Sequence, residues 1–160
     1  MPNFRLPLRS LSLAVLVAAC TAAVHAQATP QAAVTSFMDG FNTGDMAKAG
    51  ALNEPATSII DEFPPYTWSG PKAFNDWGAA FEANSKTLGL TEPKVTLSAP
   101  IVKNITAAQA YLIYPSLYTY KQKGVAMRED GRIAIVLRKE ANAWKIAAWT
   151  WTGTVPRTAK

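Results

Sequence analysis

Apolar residues in the first third of the chain recur at the spacing of helix faces. Between Pro30 and Phe41 they lie three or four positions apart, which predicts a helix with one buried face. Gly44 is a typical terminator for this helix, and Asp45 is a suitable cap for a short second helix that runs through Leu52. The pattern therefore predicts two helices before the first strand.

A third helix is predicted in the middle of the chain. Ser69 or Gly70 lies near its cap, and Pro71 falls in its first turn, where proline costs no hydrogen bond. Its buried face is marked by three aromatic residues, Phe74, Trp77 and Phe81. Gly89 ends it.

Alternating apolar residues predict strands on both sides of the third helix. The predicted strands are 56–63, 93–105, 108–121, 131–140 and 143–153. Pro100 indicates an edge or bulge and Pro115 a bulge, because proline cannot donate to a ladder. The Asp130–Gly131 dipeptide is interpreted as a turn. Helices followed by antiparallel strands indicate an α+β fold, with N-terminal helices on a curved, mainly antiparallel sheet.

The N-terminal segment has the features of an export signal. Arg5 and Arg9 precede the apolar run 11–20, and small residues lead up to Ala26. We therefore predict a signal peptide over 1–26 and a mature domain over 27–160, in the periplasm or secreted. An alternative is a lipid anchor on Cys20. The apolar run is too short to span a bilayer, and no later segment is apolar enough.

Composition excludes several classes of function. The net charge of +5 is small, and no basic run with interleaved aromatics indicates nucleic-acid binding. Cys20 and His25 are the single cysteine and the single histidine of the chain, and both precede residue 27. The mature domain therefore has no disulfide, thiolate nucleophile, Ser-His-Asp triad or imidazole metal ligand. No acidic cluster indicates a metal, and no motif indicates a cofactor.

Asp61 is the candidate base. Strand alternation places Ile59, Asp61 and Phe63 on one face, so the carboxyl lies between two large apolar neighbours. Desolvation there raises a carboxyl pKa toward the range that suits acid–base catalysis. The alternative is an aspartate that caps a turn or the next helix. Glu62, on the other face, is expected to be solvated.

Aromatic residues supply candidate pocket walls. Tyr66 and Trp68 lie on a stiff "PPYTW" turn beside Asp61, and alternation places Tyr114 and Tyr118 on one face of their strand. Strict alternation also places Trp149 and Trp151 on one face of the last strand, opposite Trp144, Ile146 and Ala148. The alternative for each aromatic is packing in the core or at a subunit interface.

The order of these elements resembles the nuclear transport factor 2-like superfamily. The residues that carry the resemblance are "NTGD", "ATSIIDEF", "WSG" at the start of a helix and the final "AWKIAAWTWTG". The chain is most similar to exported SnoaL-like (polyketide cyclase-like) members over roughly 31–153. This resemblance implies a cone-shaped α+β barrel with a pocket between helices and sheet, which would bind a small, partly apolar organic ligand.

The steroid isomerase branch of this superfamily offers a residue-level comparison. The resemblance implies that Asp61 occupies the position of the catalytic base. Phe37 stands where the branch has a hydrogen-bonding tyrosine, and it would line the pocket without donating. Arg132 falls near the position of the second donor, so it is the candidate polariser. The alternatives are that Arg132 pairs with Asp61 or faces solvent.

Two functions remain open from the sequence. The first is an exported small-molecule-binding protein that transfers protons with Asp61 and Arg132, in a pocket that Phe37, Phe63, Tyr66, Trp68, Tyr114, Tyr118 and Trp149 line. The second is a non-catalytic module with a filled pocket that forms a homodimer through its sheet. An open cavity at Asp61 would favour the first.

Overall fold

Three helices occupy the N-terminal half of the computed structural model, which describes residues 28–159. They are α1 (Pro30–Thr43), α2 (Met46–Gly50) and α3 (Ala73–Leu88). Gly44 and Gly89 end α1 and α3 in left-handed conformations with φ of 73° and 68°, as predicted. Asp45 caps α2 by accepting a hydrogen bond from the Lys48 amide at 2.9 Å. The predicted signal peptide and Cys20 lie outside the described residues.

The strands form one curved sheet that does not close. They are β1 (Asn53–Ile60), β2 (Thr67–Ser69), β3 (Leu90–Leu97), β4 (Val102–Ile105), β5 (Gln109–Gln122), β6 (Val125–Glu140), β7 (Ala143–Gly153) and β8 (Arg157–Thr158). Their order is β2-β1-β7-β6-β5-β3, with β4 paired to β5 and β8 to β6. The β1–β7 pair is parallel and the others in this described sheet are antiparallel. The predicted α+β fold, with helices on a curved sheet, is confirmed.

Three strand boundaries differ from the prediction. The first strand covers 53–60 rather than 56–63, so Asp61, Glu62 and Phe63 lie beyond its end. The segment 93–105 is not one strand, because the chain leaves the sheet at 98–101 between β3 and β4. Asp130 and Gly131 do not form a turn, because they pair with Leu117 and Ser116 inside the long strand β6. The β5–β6 turn lies at Lys123 and Gly124, with φ of 49° and 84°. Strand β6 thus extends across residues 125–130.

Pro115 does not cause the predicted bulge. It pairs with Arg132 in an unbroken β5–β6 register. Its carbonyl accepts a hydrogen bond from Ser98, so its nitrogen faces the same edge, where β3 gives way to β4. A missing N–H there removes no bond from the β5–β6 ladder.

Strand β7 contains a bulge that the sequence pattern does not show. The β6–β7 register shifts between Val136 and Leu137, so Ala147 is an extra residue on β7. Strict alternation is therefore wrong here, and residues from both halves of β7 are buried together: Trp144, Ile146, Trp149 and Trp151. The bulge brings more aromatic surface to the inner face of the sheet.

The core lies between this inner face and the helices. Trp149 is packed against Phe37 of α1 and Trp77 of α3, with ring centroids 5.9 Å and 5.0 Å away. Aromatic contacts of this kind stabilise the helix–sheet interface and hold its shape. Within residues 28–159, no helix is both long and apolar enough to cross a membrane.

Candidate functional site

A cavity of about 300 Å³ opens between the helices and the inner face of the sheet. Helix α1 contributes Phe37 and Phe41 to its lining, and α3 contributes Trp77 and Phe81. The sheet contributes further aromatic residues, namely Tyr118, Tyr120, Trp149 and Trp151. This largely apolar lining suits a small organic molecule.

Asp61 follows the last residue of β1 and lines this cavity. Its Oδ2 accepts a hydrogen bond of 2.8 Å from Nε1 of Trp77, and its Oδ1 accepts one of 2.8 Å from the Glu62 amide. Burial raises the pKa of Asp61 to about 6, and these two bonds oppose part of that rise. Within the described residues Asp61 forms no ion pair with lysine or arginine. Its carboxylate is therefore available as a base near neutral pH.

The loop after β1 holds Asp61 in place. The Asp61 amide donates to the Tyr66 carbonyl at 3.1 Å, and the Tyr66 amide donates to the Phe63 carbonyl at 2.8 Å. These bonds close the loop back on itself, with Tyr66 at a φ of 70°. The loop directs Phe63 inward, where it lines the cavity.

Glu129 is a site residue that the sequence analysis missed. It is 2% exposed, lies on β6 and lines the cavity. Burial, together with the nearby Glu62 carboxylate, raises the pKa of Glu129 to about 8. The signal was present, because alternation back from Ile133 through Gly131 places Glu129 on the inner face. The turn predicted at Asp130–Gly131 placed residue 129 outside the strand, so the sequence pattern did not identify Glu129 as a site residue.

Gly153 leaves room for the carboxyls of Glu129 and Glu62. A Cβ at Gly153 would lie 1.3 Å from Oε1 of Glu129 and 2.6 Å from Oε2 of Glu62. Oε1 of Glu129 and Oε2 of Glu62 therefore lie less than about 4 Å apart. Two carboxyls this close cannot both be ionised without strong repulsion, which is one reason why Glu129 keeps its proton at neutral pH.

Two buried donors face the cavity without a partner. The Tyr118 hydroxyl and the Trp149 indole nitrogen are buried and have no hydrogen-bond partner within the described part of the chain. Burial raises the pKa of Tyr118, so its hydroxyl keeps its proton. Buried donors normally have partners, so both are candidate donors to a bound molecule.

The structure brings five of the nine predicted site residues to the cavity. These are Asp61, Phe37, Phe63, Tyr118 and Trp149. Trp68 is buried beside Phe63, with ring centroids 5.3 Å apart, and Tyr114 is buried in the core, but neither lines the cavity. Both fill space behind its wall.

The other two predicted residues lie away from the cavity. Tyr66 is 56% exposed, because the loop turns its side chain outward. Arg132 is exposed, and its position between Gly131 and Ile133 places it on the opposite face of β6 from Glu129. It therefore does not face Asp61. Within residues 28–159, no group of three acidic, histidine or cysteine side chains is arranged to hold a metal ion.

Residues 31–151 of the chain match the family model described as the SnoaL-like domain. No curated protein matches the chain. Among solved structures, the chain is similar to a type 2 hexachlorocyclohexane dehydrochlorinase, with a TM-score of 0.65 and 12% identity over 81% of this chain and 88% of that one.

Two further solved structures are similar. A ketosteroid isomerase-like protein from Erwinia carotovora atroseptica gives a TM-score of 0.62 and 17% identity, over 79% of this chain and 95% of that one. A nuclear transport factor 2-like protein from Salmonella enterica serovar Typhimurium gives a TM-score of 0.62 and 18% identity, over 77% of this chain and 87% of that one. Identities this low show a shared fold and nothing about activity.

Proposed function

Because the chain belongs to the SnoaL-like domain family and its fold encloses an apolar cavity, we propose that it binds a small organic molecule and moves a proton on it, with Asp61 as the base. The observation that carries this proposal is the Asp61 carboxylate on the cavity wall, free of any ion pair with a basic residue of the described part. A base with a pKa of about 6 is ionised at neutral pH and is more basic than an ordinary aspartate.

The proposed step uses groups of this chain alone. Asp61 takes a proton from carbon, and the electron pair of that bond moves toward an electron-withdrawing group of the bound molecule. The neutral donors Tyr118 and Trp149 hydrogen-bond the charge that develops there. In an isomerisation, Asp61 then returns the proton to a second atom. In an elimination, the electron pair instead forms a double bond and expels a leaving group from the neighbouring carbon, and Asp61 releases the proton to solvent.

The names of two structural neighbours agree with this chemistry. Loss of hydrogen chloride and ketosteroid isomerisation both break a carbon–hydrogen bond. The low identities transfer no residue roles, so the proposal depends on the Asp61 geometry.

A generic probe tests the proposal without the natural substrate. In 5-nitrobenzisoxazole, a base removes the ring C3 proton, the freed electron pair forms a nitrile, and the N–O bond breaks to leave a coloured phenolate. We expect the protein to accelerate this opening above an equal concentration of acetate. Asp61→Asn should lose most of the acceleration, about 100-fold or more, as expected for loss of a general base.

Asp39→Asn is the matched control, because Asp39 is an exposed aspartate on α1 outside the cavity. It should retain the full rate. Equal rates for Asp61→Asn and the unaltered protein would remove Asp61 from the mechanism.

The open cavity argues against the alternative of a non-catalytic module with a filled pocket. A homodimer through the sheet is a separate proposal. On β5, Tyr114, Tyr118 and Tyr120 face the helices, which leaves Tyr111 at 40% exposure on the outer face. Sedimentation at several protein concentrations, with Tyr111→Ser as the variant, tests that interface.

We also propose that the protein is exported. The sequence of residues 1–26 supports this, with cleavage after Ala26. Intact mass of the protein from a fractionated cell tests it: a mature chain that begins at Gln27 supports cleavage, and a lipid-modified Cys20 supports the anchored alternative. The full-length mass in the cytoplasm would contradict both.

A further inference from the structure

The proposed proton transfer leaves the Glu62 and Glu129 carboxyls without a role. Both line the same cavity as Asp61. Glu129 is more than nine-tenths buried, and its Oε1 has no partner at ordinary hydrogen-bond geometry in the described chain, although Glu62 and Trp151 lie close enough to affect the pKa of this carboxyl. A buried carboxyl oxygen without a partner is destabilising, so it is retained where a ligand supplies the missing contact.

No basic side chain of the described residues lines the cavity to neutralise this pair. The basic residues next in sequence to the lining residues Glu129 and Pro156 are engaged elsewhere. Arg128 and Arg157 both pair with Asp130, which alternates to the opposite face of β6 from Glu129. The cavity therefore has three carboxyl groups and no positive charge.

Aromatic rings stand beside the carboxyl pair. Tyr118 is the β5 partner of Glu129 in the ladder, and its ring lies 4.8 Å from that of Tyr120 and 6.2 Å from that of Trp151. All three rings line the cavity. Their electron-rich faces attract cations, most strongly where water is excluded.

We propose that this end of the cavity is a subsite for an organic ammonium group, so that the molecule bound here is an amine or quaternary ammonium with an apolar body. The carboxyls of Glu62 and Glu129 bind the positive charge, the three rings surround it, and the apolar body extends toward Asp61, Phe37 and Trp149. This inference rests on the proposed function, since it names the substrate class of the same cavity.

The subsite couples binding to proton release. The groups that face Glu129 are Glu62 and Asp61 from the β1 loop and Tyr118 and Tyr120 from β5. The charged groups among them are negative, so they favour the protonated form of Glu129, and the nearby Trp151 side chain opposes only part of this effect. An ammonium group reverses this balance and favours ionised Glu129. Amine binding should therefore expel a proton at pH 7 and strengthen between pH 6 and 8.

Three probes with one apolar body test the charge preference: 3-phenylpropylamine, 3-phenylpropan-1-ol and 3-phenylpropanoate. At pH 7.5 we expect the amine to bind at least about tenfold more tightly than the alcohol, and the carboxylate most weakly. Calorimetry in two buffers with different ionisation enthalpies should show proton release with the amine and none with the alcohol.

Two variants test whether Glu129 is responsible for the preference for the amine over the alcohol. Glu129→Gln mimics the protonated side chain, so it should fold, and it should reduce the amine-to-alcohol ratio to about threefold or less. Glu140→Gln is the matched control, because Glu140 is exposed at the far end of β6. It should keep the full ratio.

The proposal is overturned if none of the probes binds, if the alcohol or carboxylate binds as tightly as the amine, or if Glu129→Gln keeps the ratio. These outcomes are separate from the test of Asp61. Benzisoxazole opening that depends on Asp61, without amine preference, removes this inference alone. Amine preference without Asp61-dependent turnover leaves a binding site and removes the catalysis.

Discussion

The Trp77 indole donates a hydrogen bond of 2.8 Å to Oδ2 of Asp61, and this bond joins the first half of α3 to the residue that follows β1. It is the strongest of the contacts that oppose the effect of burial on the Asp61 pKa. The same indole packs against Trp149 at 5.0 Å, so one side chain both orients the base and forms the wall beside it.

Trp77→Phe should raise the pKa of Asp61 further, because it removes a hydrogen bond to the charged form while the apolar wall remains. The acid limb of the pH–rate profile for benzisoxazole opening reports this pKa, as does carbon NMR of the carboxyl. Trp68→Phe is the control, since Trp68 is buried outside the cavity, and it should leave the acid limb in place. An acid limb that shifts equally in both variants would contradict the specific role of Trp77.

The stability of the protein should fall as pH rises from about 4.5 to 8. Below pH 4.5, Glu129 is protonated in the folded and unfolded states alike, so its burial carries no penalty. At higher pH the unfolded chain loses this proton while the folded protein retains it, because the folded pKa is about 8 against an ordinary 4.5. Asp61 adds a smaller effect of the same sign between pH 3.8 and about 6.

Urea unfolding at pH 5 and pH 8 measures this slope. At about 1.4 kcal/mol per unit of pKa, and because pH 5 to pH 8 covers only part of the effect of the rise from 4.5 to about 8, the Glu129 contribution to this slope is on the order of 2–4 kcal/mol. Glu129→Gln has no proton to lose, so its free energy of unfolding should change less between the two pH values, whereas Glu140→Gln should follow the unaltered protein. An unchanged or steeper slope in Glu129→Gln would show that this carboxyl is not the source.

Gly153→Ala should displace the Glu129 carboxyl, because the new Cβ would occupy space within 1.3 Å of Oε1. Overpacking of this kind costs about 1–3 kcal/mol of unfolding free energy. Gly78→Ala is the control: it lies inside α3, its Cβ would meet only Met46 at 3.7 Å, and it should stabilise by about 0.5–1 kcal/mol. Equal tolerance of the two changes would place the carboxyl pair elsewhere.

Arg132→Ala should leave benzisoxazole opening unchanged and alter the free energy of unfolding by less than about 0.5 kcal/mol, as is usual for exposed residues. The reason is its position on the outer face of β6. Steady-state rates and urea unfolding check both expectations. A large loss of rate at constant stability would return Arg132 to the site.

Some features of the fold could be read from short stretches of sequence. Glycine at 44 and 89 ended two helices where predicted, because a left-handed residue depends on its own backbone. Asp61 lies at the cavity, as the two-residue period predicts, but Glu62 lines the same cavity although that period places it on the other face, because β1 ends at Ile60 and alternation stops there. Each of these features is decided within a few residues.

Other features were decided by contacts between distant segments. Pro115 is accommodated without a bulge because β3 and β4 break opposite it, while Ala147 bulges without any proline or glycine to mark it. Glu129 becomes a site residue only when β5 pairs along it and Gly153 leaves space for its carboxyl. Local periodicity shows which way a side chain points, but its burial and its charge partners depend on which strands pair, and that is determined by the packing of the whole chain.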